Sequence, residues 1–167
     1  LLLTRERYTS HERLSQGAVI LDGSENASVQ YAQCCRPVPG DSIVGYLGRG
    51  EGLVVHTSGC AVAARLKHRD SERFIAVDWA DEPVRQFETG LVVTVTNRKG
   101  VLARVAADLA QSEVDITKVD MGEEDQQDTT DLRFVISVRD TAHLDAALRN
   151  LKRTPSVLRA QRITPHA

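Results

Sequence analysis

Residues 91–109 read LVVTVTNRKGVLARVAADL, and this stretch decides the fold of the second half of the chain. Leu91, Val93 and Val95 alternate with Val92 and Thr94, the period-two pattern of a half-buried strand. After the turn Asn97-Arg98-Lys99-Gly100, apolar residues recur at Leu102, Val105, Ala106 and Leu109. That spacing of i, i+3, i+4 and i+7 lines one face of an amphipathic helix.

Working outward, Val114–Met121 reads as a strand in which Ile116 and Val119 break strict alternation, so a bulge or a late start is expected. Residues 122–128 form an acidic loop, most simply a solvated hairpin, with calcium as the remote alternative. Leu132, Phe134, Ile136 and Val138 then alternate cleanly. Asp140 or Thr141 is placed to cap a second helix with the apolar face Leu144, Ala147, Leu148 and Leu151; Pro155 stops it, and Val157–Ile163 is the last strand. The order βαββαβ over residues 86–165 is that of a ferredoxin-like unit. RNA-recognition folds share this order but need aromatic side chains on the central strands for base stacking. Phe134 has the parity of Leu132 and Ile136 and is expected to face the helices, which argues against sheet-surface base stacking. The open face is expected to show Val92, Val135 and Val119, enough apolar surface for a homodimer through the sheet.

Upstream of the polar break Asp81-Glu82-Pro83, residues 17–80 read as a small strand-rich module. Strands are expected at Ala18–Leu21 and Ser28–Ala32, a hairpin at Ile43–Leu47 and Leu53–His56, and a closing strand at Phe74–Trp79. Thr57 or Ser58 can cap a short helix through Ala61–Leu66. Gly48-Arg49-Gly50-Glu51-Gly52 is a turn, because no long helix follows it as a nucleotide loop would require. Pro37-Val38-Pro39-Gly40-Asp41 is a stiff loop. Residues 1–16 mix charge and hydroxyls and read as a linker or frayed helix. The whole is α+β: a thin-cored, strand-rich module followed by a two-layer domain.

The 167 residues carry a formal charge of −2, which gives no global pull toward nucleic acid or membrane. No apolar run approaches the roughly 18 residues of a membrane span. The only methionine, Met121, is internal, so a chain opening at Leu1 is expected to belong to a longer protein. Three cysteines, two of them adjacent, suit a reducing cytoplasm better than a disulfide scaffold.

Cys34, Cys35 and Cys60 are all the cysteines of the chain, and His56 lies among them. Three thiols and an imidazole match the ligand count of a closed zinc site. A hairpin can return His56 to the thiols, and Cys60 falls near a helix N-terminus, where backbone amides favour thiolate. The difficulty is the adjacent pair, since successive side chains on a strand point to opposite faces; a bend at Pro37 would relieve it. In the bland alternative, Cys35 is a buried hydrophobe, Cys34 is incidental and His56 caps a strand.

The turn Asn97-Arg98-Lys99-Gly100, with Val101 and Leu102 opening the helix, is the second candidate site. Gly100 lets the backbone close tightly, and amides at the helix start can hold a carboxylate with Arg98 or Lys99 assisting. The alternative is a short turn with an Asn cap. The chain shows no Ser-His-Asp or paired-carboxylate arrangement with supporting context. His68-Arg69-Asp70 stands without any other kinase feature.

The run AQCCRPVPGDSIVGYLGRGEGLVVHTSGC (32–60), then FIAVDW (74–79), the NRKG turn and DTAHLDAALRNLKRTPSV (140–157) resemble the C-terminal region of RelA/SpoT-type guanosine tetraphosphate enzymes. The resemblance spans about residues 17–165. It implies a zinc-finger or conserved-cysteine domain, with metal positions at Cys34, Cys35, His56 and Cys60, followed by an ACT domain. It also implies a regulatory region of a bifunctional enzyme that makes and degrades (p)ppGpp. The hydrolase and synthetase domains, with their manganese or magnesium, lie upstream in such proteins and outside this sequence. No histidine here precedes an aspartate, so the hydrolase His-Asp motif is missing. The wording FIAVDWADEPVRQFET leans toward the SpoT-type branch.

Two roles follow as expectations. In one, the ACT domain binds a small amino acid, branched-chain in the family, and biases the upstream catalytic domains. In the other, the region docks on the ribosome, with Arg36, Arg49, Arg65, Lys67 and Arg69 contacting rRNA phosphates; the bland account makes these solubilising charges. A stand-alone enzyme is the third and remote class.

Overall fold

The computed structural model describes residues 17–122 and 127–163. The linker expected at 1–16 and most of the acidic loop, including Glu123, Glu124 and Asp125, lie outside the described residues. Two compact units emerge, and the division is not sequential. Among the described residues, one unit comprises 17–34 with 42–85, and the other 35–41 with 86–163.

The first unit is built from short strands: β1 (Val19–Leu21), β2 (Val29–Tyr31), β3 (Ile43–Leu47), β4 (Leu53–Thr57), β5 (Phe74–Ile75) and β6 (Val77–Trp79), with helix α1 (Ala61–Arg69). Strands β2, β4, β3 and β5 form one sheet in that order, and β1 pairs in parallel with β6 in a second. The closing strand expected over Phe74–Trp79 is therefore two strands serving different sheets, broken at Ala76. The β3–β4 hairpin registers Gly45 against Val55 and Val44 against His56, and Gly48 N–H donates to Gly52 C=O (2.8 Å) to close its tip. Leu21, Leu53, Val55, Ala63, Val77 and Trp79 fill the small core. Tyr31 stacks on Trp79 with ring planes 6° apart, while its hydroxyl donates to Glu25. Burial, with Glu25 beside it, pushes the Tyr31 phenol well above the usual tyrosine range.

Helix α1 runs to Arg69, three residues past its expected end, and starts just after Cys60, not from a cap position at Thr57 or Ser58. Its N-cap is Cys60 without a side-chain cap bond. The physical reason is a tight turn, Cys60 N–H to Thr57 C=O (3.1 Å), which inserts itself between the hydroxyls and the helix start.

In the second unit, β7 (Phe87–Thr96), α2 (Val101–Gln111), β8 (Asp115–Met121), β9 (Thr129–Val138), α3 (Thr141–Lys152) and β10 (Val157–Arg162) follow the expected βαββαβ order. The sheet runs β10-β7-β9-β8 and is antiparallel throughout. Register places Leu91 against Phe134 and Val93 against Leu132, all essentially fully buried. Each such large side chain contributes roughly 1.5–3 kcal/mol relative to exposure. Val105 and Leu109 of α2, with Leu144, Ala147 and Leu151 of α3, close the core. Asp140 caps α3 by accepting from His143 N–H (2.8 Å).

The expected bulge falls between Ile116 and Lys118. It pairs Val119 with Phe134, on the helix side of the sheet, and this corrects the expectation that Val119 joins Val92 and Val135 on the open face. One inserted residue reverses the face of every later side chain in the strand. That face carries Lys118, Asp120, Asp131 and Arg133 beside Val92 and Val135, so it is more polar than the alternation suggested.

Candidate functional site

Cys34, Cys35, His56 and Cys60 converge, with one ligand atom of each lying within 4.8 Å of the others. Cys34 Sγ is 3.4 Å from His56 Nδ1 and 3.6 Å from Cys60 Sγ. Tetrahedral Zn²⁺ with bonds of about 2.3 Å to sulfur and about 2.05 Å to nitrogen needs ligand separations of about 3.8 Å for S···S and about 3.5 Å for S···N. The two spacings to Cys34 match those edges, and the donor set suits the ion in number and chemistry. No disulfide joins the three cysteines. Cys35, His56 and Cys60 are buried while Cys34 is exposed, leaving one side of the cluster open to metal entry.

Local structure explains how adjacent cysteines share one centre. Cys34 and Cys35 sit in a turn after β2 and not on a strand, so alternation of faces does not apply to them. The chain reverses at Arg36, whose φ of 44° lies in the left-handed region; the bend thus precedes the expected pivot at Pro37. His56 is delivered by β4 and Cys60 by the N-cap of α1. Burial depresses the His56 pKa, which favours the neutral imidazole that binds metal.

Residues 97–102 occupy the β7–α2 turn. Gly100 is the N-cap of α2 at φ 84°, and no side chain caps the helix. A Cβ added at Gly100 would meet nothing within 4 Å, so space lies open above the helix start. Arg98 and Lys99 are exposed, Val101 is buried and Leu102 is half-buried. Val101 therefore serves the core and not the turn surface. Asn97 does not cap the helix; its N–H donates to Asp128 C=O (2.8 Å) and its amide to Gln127 C=O (3.1 Å), tying the turn to the start of β9. Of the basic residues expected at an RNA surface, Arg49, Arg65, Lys67 and Arg69 are exposed, but Arg36 is half-buried and paired with Glu88 (3.0 Å).

Residues 19–80 match the family model of the RelA/SpoT RIS domain, and residues 83–162 match that of the ACT domain. The chain corresponds to the C-terminal region of the RelA/SpoT family. It is 30% identical over 149 residues to the bifunctional (p)ppGpp synthase/hydrolase SpoT of Escherichia coli K12, covering 89% of this chain and 21% of that protein. It is 28% identical over 162 residues to the GTP pyrophosphokinase of the same strain, covering 96% of this chain and 22% of that protein. The chain thus spans about a fifth of the length of these relatives. Among solved structures, the ACT domain from GTP pyrophosphokinase of Chlorobium tepidum aligns at a TM-score of 0.41 and 15% identity, covering 47% of this chain and 99% of that one. No described helix is long and apolar enough to cross a membrane.

Proposed function

We propose that this region is the sensory part of a cytoplasmic, SpoT-type bifunctional (p)ppGpp synthetase/hydrolase, in which the ACT domain binds a small amino acid and biases upstream catalytic domains. The observation that carries the reading is the β7–α2 turn, where Gly100 in a left-handed conformation leaves an uncapped helix start beneath open space. Helix amides there favour a carboxylate, and Arg98 or Lys99 adds a complementary charge. A branched-chain side chain suits the half-buried Leu102 nearby. Control of the catalytic domains requires that their two states differ in affinity for the amino acid.

Calorimetry with valine and isoleucine tests this. Binding to the wild type that is lost in a folded Gly100→Asp variant is expected, since the new carboxylate repels the ligand's own. No heat with either amino acid removes the reading.

In the same reading the Cys34–Cys35–His56–Cys60 cluster holds one Zn²⁺ as a structural staple for a thin core. The bound ion supplies Lewis-acid cross-linking of the four side chains and no reaction step. The open face of the ACT sheet, with Val92 and Val135, is the proposed homodimer surface; sedimentation as a monomer at high concentration opposes it.

Ribosome docking is the second reading, favoured by the exposed Arg65, Lys67 and Arg69 on α1 with Arg49 at the β3–β4 tip. Phosphate contacts of this kind give steeply salt-dependent binding. Co-sedimentation with ribosomes that survives alanine substitution at all four counts against it.

A further inference from the structure

We infer that Arg162, the last residue of β10, is a positioning residue for Cys35 and sets the affinity of the cluster for metal; this rests on the zinc reading above. The segment Cys35–Asp41 folds with the ACT domain although it lies within the sequence of the RIS module. Arg162 is what grips it. Nη1 donates to Asp41 Oδ1 (2.8 Å) and Nη2 to Asp41 Oδ2 (2.7 Å), a two-pronged pair in which both side chains are largely shielded from solvent. Nη2 also donates to the Arg36 carbonyl (3.1 Å), and Nε to the Thr89 hydroxyl (3.1 Å). A planar guanidinium is suited to such bidentate contact, and lysine cannot reproduce it.

Three further features make the segment rigid once held. Val38 is completely buried between two prolines, Thr141 N–H donates to the Pro39 carbonyl (2.8 Å), and Asp41 accepts from Val38 N–H (2.8 Å). Arg36 sits at φ 44°, a left-handed conformation that a non-glycine residue keeps only when its surroundings enforce it. The Arg162 bond to the Arg36 carbonyl is part of that enforcement, one residue from Cys35. Because Cys34 and Cys35 are consecutive, the direction of Cys35 Sγ depends on how the backbone leaves the turn at Arg36. Arg162 therefore acts on the metal through the chain and touches no ligand atom. Residues that orient metal ligands in this indirect way typically change affinity about 10- to 100-fold when removed.

The experiment measures zinc affinity by chelator competition on the intact chain, comparing wild type with Arg162→Met, Arg162→Lys and Asp41→Asn. Arg139→Met serves as the control, since the Arg139 guanidinium pairs with the exposed Glu113 (3.2 Å). The expected result is affinity lower by about 10-fold or more in Arg162→Met and Asp41→Asn, partial recovery in Arg162→Lys, and no change in the control. Cobalt(II) gives a second readout. The thiolate-to-metal absorption per bound cobalt should weaken in Arg162→Met, because one of three thiolates is no longer held, whereas a general loss of stability leaves that intensity unchanged. If Arg162→Met does not fold, Asp41→Asn carries the same test with little change of shape. Zinc held equally tightly by wild type and the folded variants overturns this inference alone. Wild type that takes up no zinc overturns the metal reading and this inference with it.

Discussion

Cys34 Sγ lies 3.4 Å from His56 Nδ1, although the two residues are 22 positions apart in the chain. No disulfide enforces this approach. In the zinc reading proposed above, a shared cation would repay the ordering of both side chains. Chelation should therefore lower the melting temperature of wild type, and Cys60→Ser or His56→Ala should abolish stoichiometric zinc, as read by elemental mass spectrometry of natively purified protein. Replacement of the nearby exposed Ser58 by alanine should leave zinc content unchanged. Full zinc occupancy in Cys60→Ser would show that the cluster is not the site.

Gly40 meets Thr141 at the start of α3. Its φ of 102° lies where side chains are strained, and an added Cβ would collide with the Thr141 hydroxyl and crowd its Cγ2 and Cβ. Gly40→Ala should destabilise by about 1–3 kcal/mol in urea denaturation. Adding Thr141→Ala should recover only the collision and not the backbone strain. A neutral Gly40→Ala would mean that the segment shifts freely.

His143 is 6% exposed and bridges two backbone groups. Its Nδ1 accepts from Arg139 N–H (3.1 Å), which leaves Nε2–H to donate to the Ser112 carbonyl (2.8 Å). Nitrogen NMR of the ring should report the Nε2–H tautomer. His143→Leu, which orphans both groups, should cost about 1–3 kcal/mol. Removing the neighbouring cap with Asp140→Ala should cost about 1 kcal/mol.

Asp22 is held below the usual aspartate value of 3.8 because the Ser24 hydroxyl and then its amide donate to the carboxylate. A depressed folded value means the contribution is complete above the unfolded pKa and disappears as pH falls through the folded one. The turn at Asp22–Ser24 should thus be indifferent to pH at neutrality and loosen only below about pH 4. Carboxyl NMR titration of Asp22 giving an unshifted value would remove the effect.

Much of the ACT domain was legible because its signals are local. Alternation in 91–95 and 132–138 and the helical periods in α2 and α3 each name a buried face without reference to distant residues. The broken alternation at Ile116 and Val119 announces a bulge or a late start but not its consequence for Val119, because the face of a side chain beyond a bulge depends on where pairing resumes on β9. The split of Phe74–Trp79 into two strands was likewise invisible, since an apolar run does not say which sheet each residue joins.

Composition and spacing by themselves determined which residue types are present to bind a metal and that a glycine turn opens α2. Only the tertiary structure decided that Cys34 and Cys35 turn toward a common point, and that residues 35–41 fold with a domain that begins some forty-five positions later. The reason is range. A turn, a cap or an amphipathic face is encoded within a few residues, whereas the grip of Arg162 on Asp41 spans 121 positions and exists only once β10 has taken its place beside β7.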